Sequence, residues 1–484
     1  MKKTLLSLLA VACIAVASQM ISCTSTEYDP VRTDEPPPLH SPYDSSRYVL
    51  DEIIVIFKPG TSAADINDLK TKINGPNFDA SKLKTRKCNT CDGYVELWQA
   101  PNIHTRIHRD GLVAGSKGPG GSQPVGEDGL GYYSLNFKQN IPMDFLGENK
   151  LNYDNFKKIE NNKAGKEVVL IAVLDTGIDT ERIIGTSYLW TNPENEAADT
   201  SCYIGDKFGW NFINGSGDVM DNNQDHHGTL VSHYIINEFA NSRDKAVELM
   251  ILKTHDGNGD GDLFHSICAI HYAMEKGAKI INASWGFYYY QDGPHPYLDY
   301  LITNVLREKG ILFVAAAGNQ TVDDDQFAHN AYRAAHGGVD IPDSYLRNLE
   351  YHNFYPACLS QKGSNVVTVT TADQNRVSPT QNYSSKYVDI GAIPDDITAM
   401  RFTVPSAPPA GAAGAAGTVE TISGSSFAAA IVTGRIGAFL HSSSYASSID
   451  KNVLLDSMER AGLITKSPAL QADHIREGRI TPHN

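Results

Sequence analysis

From Glu167 onward the chain alternates short, almost uniformly apolar runs with stretches whose apolar residues recur every three to four positions. The first run, EVVLIAVL at Glu167 to Leu174, lacks the in-out alternation of a half-exposed strand and reads as a strand covered on both faces. Leu230, Val231, Tyr234 and Ile235 then share a helical face, Val247 to Leu252 is a second strand, and Leu263, Ile267, Ile270 and Met274 mark a second helix. Lys279 to Ala283 predicts a strand, Leu298 to Leu306 a helix, and Ile311 to Ala317 and Asn365 to Thr370 two more strands. This alternation predicts an α/β domain, a doubly wound, mostly parallel sheet with helices on both faces. Ligands of such sheets sit beyond the carboxyl ends of the strands, so the polar residues there carry the question of function.

Upstream the pattern changes. Arg47 to Phe57 (RYVLDEIIVIF) is β-rich and stops at the Lys58-Pro59-Gly60 turn. Ile66, Leu69 and Ile73 then share a helical face, and Gly93 to Trp98 is a second strand. A small α+β unit over 47–103 buries too little surface to stand alone and is expected to lean on a partner. Between Asp110 and Gly131 the composition turns to Gly, Ser, Pro and Asp, which places a flexible, cleavable linker over 104–145 and the main domain over 146–484.

Lys2 and Lys3 followed by an apolar run from Leu5 to Val16 make 1–22 an export signal rather than a membrane span. Met20-Ile21-Ser22-Cys23 is similar to a bacterial lipoprotein box, so Cys23 is the expected lipidation site and the polar, Pro-rich stretch of 23–46 a tether. Cutting after Ala15-Val16-Ala17 and free secretion is the competing reading; either way the chain is exported, to the cell envelope or beyond it. The formal net charge of -15 over 484 residues, with no long Lys/Arg run, excludes a general nucleic-acid binder. With Cys13 lost and Cys23 lipidated, five cysteines remain and cannot all pair internally. Cys88 and Cys91 read as an incidental pair, a local disulfide or half a zinc site, and no second ligand pair stands near them.

Four polar signals fall at expected strand ends or helix starts. Asp175 follows the first buried strand in Leu174-Asp175-Thr176-Gly177, and alone it is an ordinary turn starter. His227 lies in Asp225-His226-His227-Gly228-Thr229 at a helix start, and Asn319 ends Ala315-Ala316-Ala317-Gly318-Asn319. Ser426 follows Gly424 and Ser425 and opens the apolar run Phe427 to Val432, where a serine is by itself a helix cap. Together they supply what acyl transfer needs: a hydroxyl nucleophile, an imidazole base, a carboxylate to orient it and an amide donor for the oxyanion.

The segments DTGID, HHGTL, AAAGN and GSSFAAA, in this order, resemble the motifs of the subtilisin-like serine peptidases. The resemblance implies Asp175, His227 and Ser426 as triad and Asn319 as oxyanion donor, with His227 rather than His226 because it directly precedes Gly228-Thr229. It also implies substrate contacts at Ser284, Trp285, Gly286 and Gly318, and at Gly257 and Gly259 within DGNGDG, and a propeptide role for 47–103 as intramolecular inhibitor. The related sedolisin group uses Glu where this chain has the His. Departures from the family are Ser425 for Thr, Phe427 for Met and Ala430 for Pro. No cofactor is required by this chemistry. Structural calcium is conceivable at Asp256, Asn258 and Asp260, although the residue that would close an EF-hand loop is Ile267. The expected function is an exported, lipid-anchored serine endopeptidase acting on proteins or peptides, against the alternative of a non-catalytic, subtilase-like peptide-binding protein. The same acyl-enzyme would also serve peptide ligation. Asp323-Asp324-Asp325, in an insertion before Tyr355, points to basic substrate residues, whereas the low-complexity Val404 to Gly417 loop has no role assignable from its sequence.

Overall fold

The computed structural model describes residues 48–141 and 161–481, apart from 59, 75–81, 89–94, 104–122, 126–130, 182–184, 194–201, 241, 289–295, 320–332, 334–335, 341, 343–344, 346, 362, 379, 395–423, 441–448 and 472–474. The signal and lipobox, Cys91, the Asp323 to Asp325 cluster and the 404–417 loop lie outside these residues.

Two sheets organise the chain. The N-terminal one contains β1 (Tyr48–Phe57), β2 (Lys84–Lys87), β3 (Val95–Gln99), β4 (Gln123–Val125) and β5 (Gly131–Asn140) in the order β2-β3-β1-β5-β4. Helix α1 (Ala63–Asn74) contributes Leu69 to a core of its own with Ile53, Val55, Phe57, Trp98 and Tyr133. This unit runs further than its sequence expectation of 47–103. β5, inside the stretch read as flexible linker, pairs antiparallel with β1 because Tyr133, Leu135 and Phe137 alternate inward.

The main sheet contains β6 (Glu167–Asp175), β7 (Gly209–Asn211), β8 (Lys245–Lys253), β10 (Ile280–Ala283), β12 (Leu312–Ala316), β14 (Val366–Thr371), β15 (Ile390–Ala392), β16 (Thr465–Lys466) and β17 (Arg479–Ile480). Their order is β16-β17-β15-β14-β12-β10-β6-β8-β7, parallel throughout except for β16. A short strand β9 (Asp260–Asp262) stands apart from it and pairs with β5, and β11 (Phe287–Tyr288) pairs antiparallel with β13 (Phe354–Tyr355). Side chains of β6 alternate between the two faces, Ala172 and Leu174 joining one apolar cluster and Ile171 and Val173 the other. Helices α2 (His227–Glu238), α4 (Ser425–Phe439) and α5 (Lys451–Arg460) cover the second face, and α3 (Leu263–Glu275) the first. The expected helix near residue 298 forms as Pro296–Asp299 continued by π-helical turns over Tyr300–Leu306. Among the described residues no helix is long and apolar enough to cross a membrane.

Two buried histidines make this core acid-sensitive. Burial pushes the imidazole of His233, on α2, from 6.5 down to about 4, and does the same to fully buried His255 just after β8, against the opposing pull of Asp175. As pH falls below 6.5 the unfolded chain takes up protons that the native one refuses, so their contribution is complete above that value and is lost as pH falls toward 4. Each group changes stability by at most about 1.4 kcal/mol per pH unit. The urea midpoint is therefore expected to drop between pH 7 and pH 4.5, and less steeply in His233→Gln; an unchanged slope in that variant refutes the assignment.

Candidate active site

All four candidate groups come from the carboxyl edge of the main sheet. Asp175 is the last residue of β6 and is 1% exposed. Its Oδ1 accepts the Thr176 N–H at 2.7 Å and lies 2.8 Å from His227 Nδ1, while Oδ2 is buried with no hydrogen-bond partner among the described residues. Lys253, beside Asp175 in the β6–β8 register, donates its buried ammonium to the Thr176 carbonyl and, at 2.8 Å, to Asn222 Oδ1. Burial lowers the pKa of that lysine, and Asp221 and Asp175 work against the shift.

His227 opens α2. The preceding His226 takes a left-handed conformation (φ 50°), which turns the chain into the helix, and lies 3.8 Å from Asp179. The first N–H groups of the helix are capped from outside it: Asn223 Oδ1 accepts from His227 at 3.3 Å, Thr176 Oγ1 from Gly228 at 2.9 Å and Asp221 Oδ2 from Thr229 at 3.0 Å. A side chain at Gly228 would come within 2.5 Å of the Gly177 carbonyl and 3.0 Å of Asp175 Oδ1, so the glycine lets helix and strand end touch.

Ser426 sits in the first turn of α4, a helix buried from Ser425 to Gly437. Gly424, at φ 153° and ψ 143°, turns the chain into it. Ser426 Oγ donates to the Ser284 carbonyl at 3.1 Å, and Ser284 Oγ donates back to the Ser426 carbonyl at 2.9 Å. Phe427, 1% exposed, stands with its ring centroid 5.2 Å from that of His227 and 5.4 Å from that of Tyr234. The departure from Met at this position thus backs the imidazole with an aromatic face, and burying such a side chain contributes about 2 kcal/mol.

Ser425 fixes Asn319. Its hydroxyl accepts the Gly318 N–H at 3.0 Å and donates to Asn319 Oδ1 at 2.9 Å, and its N–H donates to Asn319 Oδ1 at 3.2 Å and to Gln381 Oε1 at 2.7 Å. A backbone N–H is only a donor, so the amide oxygen must face it, which leaves Nδ2 as the donor end of Asn319. Asn319→Ala is expected to lower kcat by about 10²- to 10³-fold, and Ser425→Ala by a smaller factor through loss of aim. A loss under roughly fivefold in Asn319→Ala contradicts that role.

Asn319, Ser425, Ser426, Ser284, Trp285, Gly286 and Gly318 line one cleft of about 650 Å³. Gly257 and Gly259 are not on that lining. Gly257 packs against Asn222, and Gly259 offers its carbonyl to the Ile141 N–H at 2.9 Å. The lining on that side comes instead from Asp256, Asp260, Gly261, Asp262 and His265, together with Lys138, Gln139 and Asn140 of the chain's own β5. β5 pairs antiparallel with β9, Gln139 opposite Gly261, and the buried Gln139 accepts from Ser266 Oγ at 2.7 Å. The N-terminal unit therefore lays an extended strand along the wall of the cleft that holds Ser426.

The carboxylates of the acidic run behind that wall hold neighbouring groups of the chain. Asp256 Oδ1 accepts the N–H groups of Asn258 and Asp260, Asp260 Oδ1 accepts from Asn140, and Asp262 caps α3. Among the described residues no three His, Cys, Asp or Glu side chains converge. The cysteines depart from expectation. Cys88 is bonded to Cys268 of α3 rather than to a neighbour, Cys202 is disulfide-bonded too, and Cys358 is free and buried.

Residues 166–472 match the Subtilase family. The chain belongs to that family. Subtilisin-like protease 1 of Plasmodium vivax is 28% identical over 242 residues, 46% of this subtilase and 35% of the Plasmodium protein. The major intracellular serine protease of Bacillus subtilis is 32% identical over 180 residues, 35% of this chain and 49% of that one. This subtilase thus spans about a third to a half of the lengths of these two relatives. Fervidolysin from Fervidobacterium pennivorans, a keratinolytic enzyme related to subtilisin, shares the fold with a TM-score of 0.51 at 18% identity, covering 90% of this chain and 61% of its own.

Proposed function

We propose that this subtilase is an exported, lipid-anchored serine endopeptidase, made as a zymogen and hydrolysing peptide bonds through an acyl-enzyme on Ser426. The observation that carries the reading is the buried 2.8 Å contact between His227 Nδ1 and Asp175 Oδ1, beside a helix that begins with Ser426. The carboxylate holds a proton on Nδ1 and leaves Nε2 basic. A hydroxyl has one proton, so reaction requires Ser426 Oγ to swing from the Ser284 carbonyl toward the imidazole and then attack the substrate carbonyl. Asn319 Nδ2 and the backbone N–H of Ser426, in the first turn of α4, receive the oxyanion. His227 returns the proton to the leaving amine, and water repeats the sequence to free the enzyme. No step calls on a cofactor.

Substrate enters as an extended strand between β9 and the Ser284 to Gly286 segment, where backbone pairing gives affinity and side-chain pockets give preference. β5 holds part of that ground before activation, which supports its reading as the chain's own inhibitor. The disulfides fit an oxidising compartment outside the cytoplasm, as the sequence of 1–23 expects. Incubation with a fluorophosphonate followed by peptide mapping tests the assignment. A single adduct on Ser426 is expected; an adduct on another serine, or none on fully processed and disulfide-reduced protein, overturns it.

A further inference from the structure

The N-terminal unit is joined to the subtilase region by a bond that cutting the backbone does not break. Cys88, next after β2, is disulfide-bonded to Cys268 of α3 across a sequence separation of 180. Cys268 is 1% exposed, whereas Cys88 is only partly buried and packs at the edge of the same core. Cys202, ahead of β7, is disulfide-bonded as well. Polar contacts surround the junction. Arg86 donates to the Phe212 carbonyl at 2.5 Å, and Asn136 Oδ1 accepts the Phe264 N–H at the start of α3 at 3.0 Å. Phe137 stacks on Phe287 with ring centroids 4.8 Å apart.

We propose that the Cys88–Cys268 disulfide keeps the N-terminal unit on the cleft as a covalently tethered inhibitor after the chain is cut, so that reduction, not cleavage, frees the active site. The proposal rests on the peptidase reading above. Hydrolysis of one peptide bond between Ile141 and residue 161 consumes a water and leaves a new carboxyl end and a new amine, after which an untethered unit would leave at its own off-rate. A tethered one stays at an effective concentration on the order of 1 mM, so even a unit with a micromolar Kd leaves the cleft open about one-thousandth of the time. A dithiol reductant reverses this. Its thiolate attacks the accessible Cys88 sulfur and expels Cys268 as a thiolate, and its second thiol then displaces Cys88. Two electrons and two protons pass to the cysteines, and the reductant leaves as a disulfide.

Full-length protein made in an oxidising compartment tests this. After self-cleavage it is expected to run as one species without reductant and as two with it. Peptide hydrolysis is expected to rise at least tenfold on adding dithiothreitol, and Cys88→Ser/Cys202→Ser is expected to be active without it. Free thiols at Cys88 and Cys268 in the unreduced protein, or activity of cut, unreduced wild type within twofold of the reduced form, overturns the proposal. Should the double variant not fold, the reductant response of the unsubstituted chain decides alone. If neither the reduced protein nor the variant reacts with a fluorophosphonate, the peptidase reading falls and takes the tether's inhibitory role with it. If both react to the same extent as unreduced wild type, only the tether proposal fails.

Discussion

The Ser426→Ala/His227→Ala double variant is expected to lose about 10⁶-fold in kcat, no more than either single variant. Nucleophile and base act as one unit: without the imidazole the hydroxyl keeps its proton, and without the hydroxyl the imidazole has no proton to take. What is expected to survive is the proposed oxyanion site of Asn319 and the α4 turn, together with strand pairing in the cleft, worth about 10³-fold over water. Steady-state hydrolysis of one peptide by the three variants checks this. A double variant ten times slower than both singles would mean that the two side chains work independently.

Asp175→Ala is expected to cost about 10⁴-fold, less than loss of His227, because the base remains and loses only its orientation and its counter-charge. Asp175→Asn separates those two contributions. Oδ1 of Asp175 accepts from both the Thr176 N–H and His227 Nδ1, so an asparagine is expected to keep its oxygen there and to hold the same imidazole tautomer. It loses the negative charge and places its amide nitrogen where Asp175 Oδ2 is buried without a partner among the described residues. Its kcat is accordingly expected to fall between wild type and Asp175→Ala, and an asparagine variant as slow as the alanine one would show that the tautomer had flipped.

Much of this was legible in the chain because local backbone demands spell the site. A buried strand ending in Asp175-Thr176-Gly177, and glycines 228 and 424 placed where helices must touch or turn, are readable without coordinates. The main sheet was legible for the same reason, since its strands are apolar on both faces. Contacts set by distant partners were not. Nothing near Gln381 announces that it accepts the Ser425 N–H, and nothing around Cys88 names Cys268. β5 is the intermediate case. The alternation of Tyr133, Leu135 and Phe137 was present in the sequence, but the Gly- and Ser-rich residues before it drew the whole stretch into a linker. Gly257 and Gly259 lie off the cleft lining, and the Gly259 carbonyl accepts from Ile141 next after β5, because which groups of a turn face a cleft depends on the strand that pairs beside it.

Mounting the proposed nucleophile on α4, a helix buried from Ser425 to Gly437, ties chemistry to the integrity of the whole fold. Loosening of that helix would displace Ser426, so loss of activity is expected to set in no later than melting of the sheet it covers.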